Sequence, residues 1–275
     1  MDHTEFYSQQ TTLLTQLCAH VWQGKPIWQQ IRDGYLSATP AFKGSLYDAS
    51  KKKIMIVGRA LNGWDATYND TTTLETTVAS ILNQPDSLDT LINKNGYKSE
   101  GSKRTYYHIN SRFFRLIKHI LEQFDESDTC SDFEKSWYED SKKWNQRFIW
   151  ANLYCIAPRN PVNGENPNPS RRMLYPCQDS YIDLMKLYIT HYNPDIVIFI
   201  TDLNGWFIPG WKNARSFACM LDEYREHKDD CDVIVADGKL GHSQILVCKR
   251  PDKRGISYAK IKCMAEKIAV FIKNT

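Results

Sequence analysis

The stretch KIMIVGRALNGWD, residues 53–65, places a glycine, an arginine, an asparagine, a tryptophan and an aspartate behind the apolar run Ile54-Met55-Ile56-Val57. Such a run, opened by lysines and closed by Gly58, has the pattern of a strand buried on both faces of a parallel sheet. Ligands of open α/β sheets bind outside the carboxyl ends of the strands. An amide, a carboxylate and a guanidinium just past Val57 are therefore placed where chemistry is done. They do not form a phosphate cradle, because the glycine spacing of G-x-G-x-x-G and the Lys-Ser/Thr pair of a Walker loop are both missing. A second kind of pattern recurs along the chain: cations interleaved with flat rings, in Arg104-Thr105-Tyr106-Tyr107-His108, Arg112-Phe113-Phe114-Arg115 and Lys249-Arg250-Pro251. That pairing suits a groove that tracks a nucleic-acid backbone and offers stacking platforms. It suits equally a charged helix face beside core aromatics.

The chain is 275 residues long with a formal net charge of +3, too small a surplus to declare nucleic-acid binding by itself. Its length fits one large α/β domain or two small ones. Eight cysteines are scattered without a C-x-x-C pair, and the polar start Met1-Asp2-His3-Thr4-Glu5 is unlike a secretory leader. Scattered thiols of this sort are expected of a reduced, cytoplasmic protein. No apolar run reaches the ~20 residues of a membrane span, so no membrane partner is expected. Paired Cys/His spacing for zinc is missing as well.

The elements that would position these residues follow from periodicity. Residues 4–35 carry helical spacing, with a break expected at Pro26. Residues 68–101 are polar and read as short helices and loop. Phe113, Phe114, Leu116, Ile117, Ile120 and Leu121 mark a strong helix, and residues 125–140 an acidic surface insertion. A second strand is expected over 147–156, followed by the loop APRNPVNGENPNPSRR, dense in proline and asparagine. A helix over 178–192, a buried strand in NPDIVIFIT, a short strand over 232–236, a strand in SQILVCK and a closing helix over 258–272 complete the pattern. Strands alternating with helices predict βαβ units and a mainly parallel sheet. The expectation is one domain over 1–275, with a helical extension over about 1–50.

Three strand ends in this order carry a resemblance. The segment NLYCIAPRNPVNGENPNPS, followed by a helix and NPDIVIFIT, resembles the uracil-DNA glycosylase superfamily. KIMIVGRALNGW stands where that superfamily keeps its first motif, SRFFRLIKHIL resembles the helix after it, and ILVCKRPDKRG stands where a His-Pro-Ser motif is expected. The resemblance implies a three-layer α/β/α sandwich around a central, mainly parallel sheet of four strands. It implies hydrolysis of the N-glycosidic bond of uracil or another altered base in DNA, after the base is flipped out of the stack. A catalytically silent module that binds nucleic acid or a nucleobase on the same fold is the alternative.

Carried over residue by residue, the resemblance makes Asn152 the base-reading amide, since one side-chain amide both donates and accepts. Asn62 would orient water, with Asp65 as a substitute if the loop doubles back; the turn itself holds Arg59 and Ala60 rather than an acid or amide. Arg250, in place of the expected histidine, would either stabilise the departing anion or bind phosphate. Gly58, Arg59 and Trp64 would line the base pocket, with Trp64 first among the stacking rings, and Tyr68, Tyr106 and Tyr107 behind it. Arg112, Arg159, Arg171 and Arg254 would contact DNA. His242 precedes its strand and is not expected to replace the missing histidine. Some relatives in the superfamily hold an iron–sulfur cluster; Cys155 and Cys177 fall near two of its ligand positions, but Cys18 alone cannot complete the four thiolates. No iron–sulfur cluster, other metal or cofactor is expected.

Overall fold

In a computed structural model of the chain, the described residues are 2–23, 35–38, 40–60, 67–68, 78, 82, 112–124, 146–159, 177–210, 214–227, 233–251 and 256–274. In chain order the elements are α1 (His3–Gln23), β1 (Tyr35–Ala38), β2 (Phe42–Lys43), β3 (Ile54–Ala60), β4 (Thr67–Tyr68), α2 (Arg112–Glu122) and β5 (Phe148–Tyr154). They continue with β6 (Ile156–Arg159), α3 (Gln178–Tyr192), β7 (Ile196–Ile200), β8 (Glu223–Glu226), β9 (Ile234–Leu240), β10 (Ser243–Cys248) and α4 (Tyr258–Asn274).

The main sheet is wider than the four strands expected. Its order is β2-β5-β3-β7-β10-β9-β8, seven strands among the described residues. The four apolar runs legible in the sequence form its parallel centre, β5-β3-β7-β10. Antiparallel β2 borders one edge, and the β9–β8 hairpin the other. A second, smaller antiparallel sheet has the order β4-β1-β6. The expected second strand therefore divides at Cys155: β5 belongs to the main sheet and β6 to the small one. Ala157, Pro158 and Arg159, expected in the loop, are paired backbone opposite β1. The region before Ser50 is likewise not a purely helical extension, because it contributes β1 and β2.

Alternation along the central strands divides the core in two. Met55, Val57, Ile149, Ala151, Val197, Phe199, Ile245 and Val247 pack with α1 and α3, while Ile54, Ile56, Phe148, Ile196, Ile198, Leu246 and Cys248 pack with α2 and α4. Helices thus cover both faces of a mixed α/β sheet. On α2 the buried Phe114, Leu116, Ile117, Ile120 and Leu121 recur at helical spacing, as do Ile261, Met264, Ala265, Ile268 and Ile272 on α4. Gln10 of α1 reaches across to donate to the Tyr188 hydroxyl of α3 at 3.3 Å.

Short polar ties fix the entry to β7. Asn193 ends α3 in the left-handed conformation (φ 52°), and its N–H returns to the Ile189 carbonyl at 3.0 Å. Pro194 stops the helix, and the Asp195 carboxylate accepts from the Lys53 N–H at 2.8 Å, setting β7 beside β3. No helix among the described residues is long and apolar enough to cross a membrane.

Phe199, fully buried on β7, meets Phe207 edge-on with ring centroids 5.0 Å apart. Phe199→Ala is expected to destabilise the fold by about 3–5 kcal/mol. Urea unfolding followed by circular dichroism checks this; a change below about 1 kcal/mol would contradict the packing.

Candidate functional site

The carboxyl ends of β5, β3, β7 and β10 all lie along one rim of the sheet. The chain leaves β3 toward α2 on one face and reaches β7 from α3 on the other, so the segments diverge between β3 and β7. A divergence of this kind opens a crevice where ligands bind in α/β sheets. Here the crevice is occupied by side chains of the chain itself. The Arg59 Nε donates to the Thr201 carbonyl at 2.8 Å, and its Nη2 pairs with Oδ2 of Asp202. The other carboxylate oxygen of Asp202 accepts from the Arg250 N–H at 2.9 Å, while the Asp202 N–H donates to the Cys248 carbonyl at 3.1 Å. One carboxylate thereby fastens the ends of β3, β7 and β10 together. Asp202 holds this position with a φ of 63°, a left-handed conformation that aspartate tolerates better than most residues. The Arg59 guanidinium also lies 4.9 Å from the ring of Trp206.

A polar side chain lies one strand over, on the α2/α4 side. Gly58 of β3 stands in register with Asn152 of β5. The pleat turns Asn152 to the same face as Phe148 and Trp150. Only 7% of Asn152 is exposed. Gly58 leaves the space for it: a Cβ there would lie 2.6 Å from Asn152 Oδ1 and 3.4 Å from the Phe113 ring. Phe113, in the first turn of α2, therefore forms the wall beside the amide. Its ring is tilted against Trp150 with centroids 6.3 Å apart, and the Arg250 guanidinium lies 5.8 Å from its centroid. Gly58, Asn152, Phe113 and Arg250 thus gather at one place on the rim, where an amide, an aromatic ring and a permanent cation converge. That set can hold a flat heterocycle by its hydrogen-bonding edge and one face.

The residues expected from the sequence divide accordingly. Gly58, Asn152 and Arg250 come together. Arg59, the next residue after Gly58, faces the other side of β3 and is engaged by Thr201 and Asp202. Arg112 opens α2 beside Phe113, and Arg159 ends β6 in the small sheet. Asn62, Trp64, Asp65, Tyr106, Tyr107, Arg171 and Arg254 lie outside the described residues, and Tyr68 is described by its backbone in β4. His242 falls in the turn between β9 and β10, at the end of β10 far from the rim. Two members of the rim were not foreseen. Phe113 was read only as part of a helix and a cation–ring cluster. Asp202 follows the third apolar run directly, and the strand-end rule applied to the other runs would have found it.

Three of the cysteines also come together. Cys18 of α1, Cys155 and Cys177 lie in one core with Tyr154 and Tyr181. Burial, and for Cys18 the neighbouring Cys177, pushes the Cys18 thiol up to about 12; burial pushes Cys177 up to about 11 and Cys155 higher still. These are protonated, unreactive thiols. Among the described residues no group of three or more His, Cys, Asp or Glu is arranged to hold a metal ion.

Neither a scan against known protein families nor a search of curated proteins finds a match for this chain.

Gly58→Ala is expected to displace the Asn152 amide, destabilising the fold by about 1–3 kcal/mol. Urea unfolding followed by circular dichroism checks this; a change below about 0.5 kcal/mol would mean that the amide does not lie against Gly58. For the thiols, brief treatment of the native protein with a maleimide should label the exposed Cys219 and Cys263, and spare Cys18, Cys155, Cys177 and Cys248 until the chain is unfolded. Peptide mass spectrometry reads the pattern.

Proposed function

We propose that the protein is a uracil-DNA-glycosylase-like binder of nucleic acid that reads one unstacked base at the carboxyl rim. The observation that carries this reading is the placement of the Asn152 amide at the strand end, against Gly58 and beside Phe113 and Arg250. A hydrogen bond from a ligand to such an amide contributes about 0.5–1.5 kcal/mol. Uracil offers adjacent acceptor and donor atoms on one edge, and an amide answers both. Phe113 would lie along the base, and the Arg250 charge would favour the electron-rich oxygens at its rim. Unstacking a base costs a few kcal/mol, recovered by these contacts.

Hydrolysis of the glycosidic bond is the extended form of the same reading. Water would attack the sugar carbon while the bond to the base nitrogen breaks, and the base would leave as an anion beside Arg250. A group must hold that water, and the candidates are Asn62 and Asp65. The binding-only form is favoured by a specific feature of the rim: the Asp202 carboxylate is already engaged by Arg59 and by the Arg250 N–H.

One experiment separates the forms. Asn152→Asp, which keeps the shape and loses the donor, is expected to weaken binding of a uracil-containing oligonucleotide about 5- to 150-fold. Unchanged affinity would refute base reading by Asn152. In the same samples, abasic product after alkaline cleavage on a denaturing gel indicates hydrolysis. Retained binding without product at enzyme excess indicates the silent module.

A further inference from the structure

Two helices begin at the rim that holds Asn152: α2, on the chain leaving β3, and α4, on the chain leaving β10. Neither carries an acidic residue in its first turn. Arg112 and Arg115 stand there on α2 and Lys260 on α4, with Lys249 and Arg250 at the end of β10. The charged residues at these two helix starts and at the end of β10 are thus basic in type.

The first turn of α2 serves two neighbours. Phe113 borders the Asn152 amide. Arg115, two residues further on, is itself buried, with its guanidinium 3.7 Å from the ring centroid of Tyr258. Tyr258 is the first residue of α4 and is 53% exposed; Val270, at the far end of the same helix, is the other exposed large apolar residue among those described. A guanidinium under one face of a ring holds that ring in place by cation–π attraction. About half of Tyr258 remains exposed to solvent. A pinned aromatic ring with an accessible surface is what the flat face of a base stacks on.

We propose that Tyr258, seated on Arg115, is a stacking platform for a nucleotide adjoining the base held at Asn152, so that the ligand is single-stranded nucleic acid rather than a free base. This rests on the reading of Asn152 as a base-binding amide. It adds a second contact point on the α4 side of the amide, and assigns α2 the role of the partition between the two. The platform is tolerant of sequence, because every base has a face to stack. Discrimination stays with the amide.

The test uses the full chain with two probes, free uracil and a short single-stranded oligodeoxynucleotide carrying one deoxyuridine, and the variants Tyr258→Ala, Tyr258→Phe and Asn152→Asp. Tyr258→Ala is expected to lose about tenfold in oligonucleotide affinity and to keep its affinity for uracil. Tyr258→Phe, which retains the ring, should bind both probes as the unmodified protein does. Thermal unfolding of Tyr258→Ala should shift by no more than a few degrees, the loss of one cation–π contact. Oligonucleotide binding that is indifferent to Tyr258→Ala overturns the platform. Failure of the underlying reading looks different: Asn152→Asp would then leave uracil affinity untouched, while Tyr258→Ala still weakened the oligonucleotide.

Discussion

The parallel register of β3 on β5 governs the rest of the rim. It sets Gly58 opposite Asn152, and the missing side chain of Gly58 is what lets the amide lie across the strand end. A shift by one residue would turn Asn152 to the α1/α3 face, among the aliphatic side chains of the larger core. The register is in turn held by apolar alternation. Ile54 and Ile56 must face α2 while Met55 and Val57 face α1 and α3, and any slip would exchange every one of them at once. A polar side chain is thus positioned by residues that never touch it.

The two arginines at the rim divide their labour through one carboxylate. Asp202 accepts from the side chain of Arg59 and from the backbone of Arg250. Arg59 is therefore part of the framework that closes the crevice between β3 and β7. The Arg250 backbone is fixed by the same group, which directs its side chain toward Phe113. The choice of face follows: the framework lies on the Trp206 side, and the Asn152 amide on the α2 side.

Much of this was legible in the sequence, for reasons that differ by element. Unbroken apolar runs gave the four parallel strands and the span of α3, because a strand covered on both faces has no room for polar residues. The edge strands were hidden for the opposite reason. Phe42–Lys43 is too short to show a period, and Glu223–Glu226 is charged along its length. The strand over 234–240 runs through Asp237 and Gly238, residues that signal a turn when read locally. Asn152 stood out because an amide in an apolar run is conspicuous. Phe113 did not, since an aromatic at helical spacing gives no sign of which neighbour it will meet. The engagement of Arg59 is invisible to a local reading because its partner Asp202 is 143 residues away along the chain.

The charged outermost strand has a consequence of its own. Glu223, Arg225 and Glu226 line the last described strand of the main sheet, with Arg225 held in a forked pair by Asp237. A bare strand edge invites a neighbouring molecule to continue the ladder, and charges along it make that continuation unfavourable. The same decoration that concealed β8 from the eye guards the protein against polymerising through its own backbone.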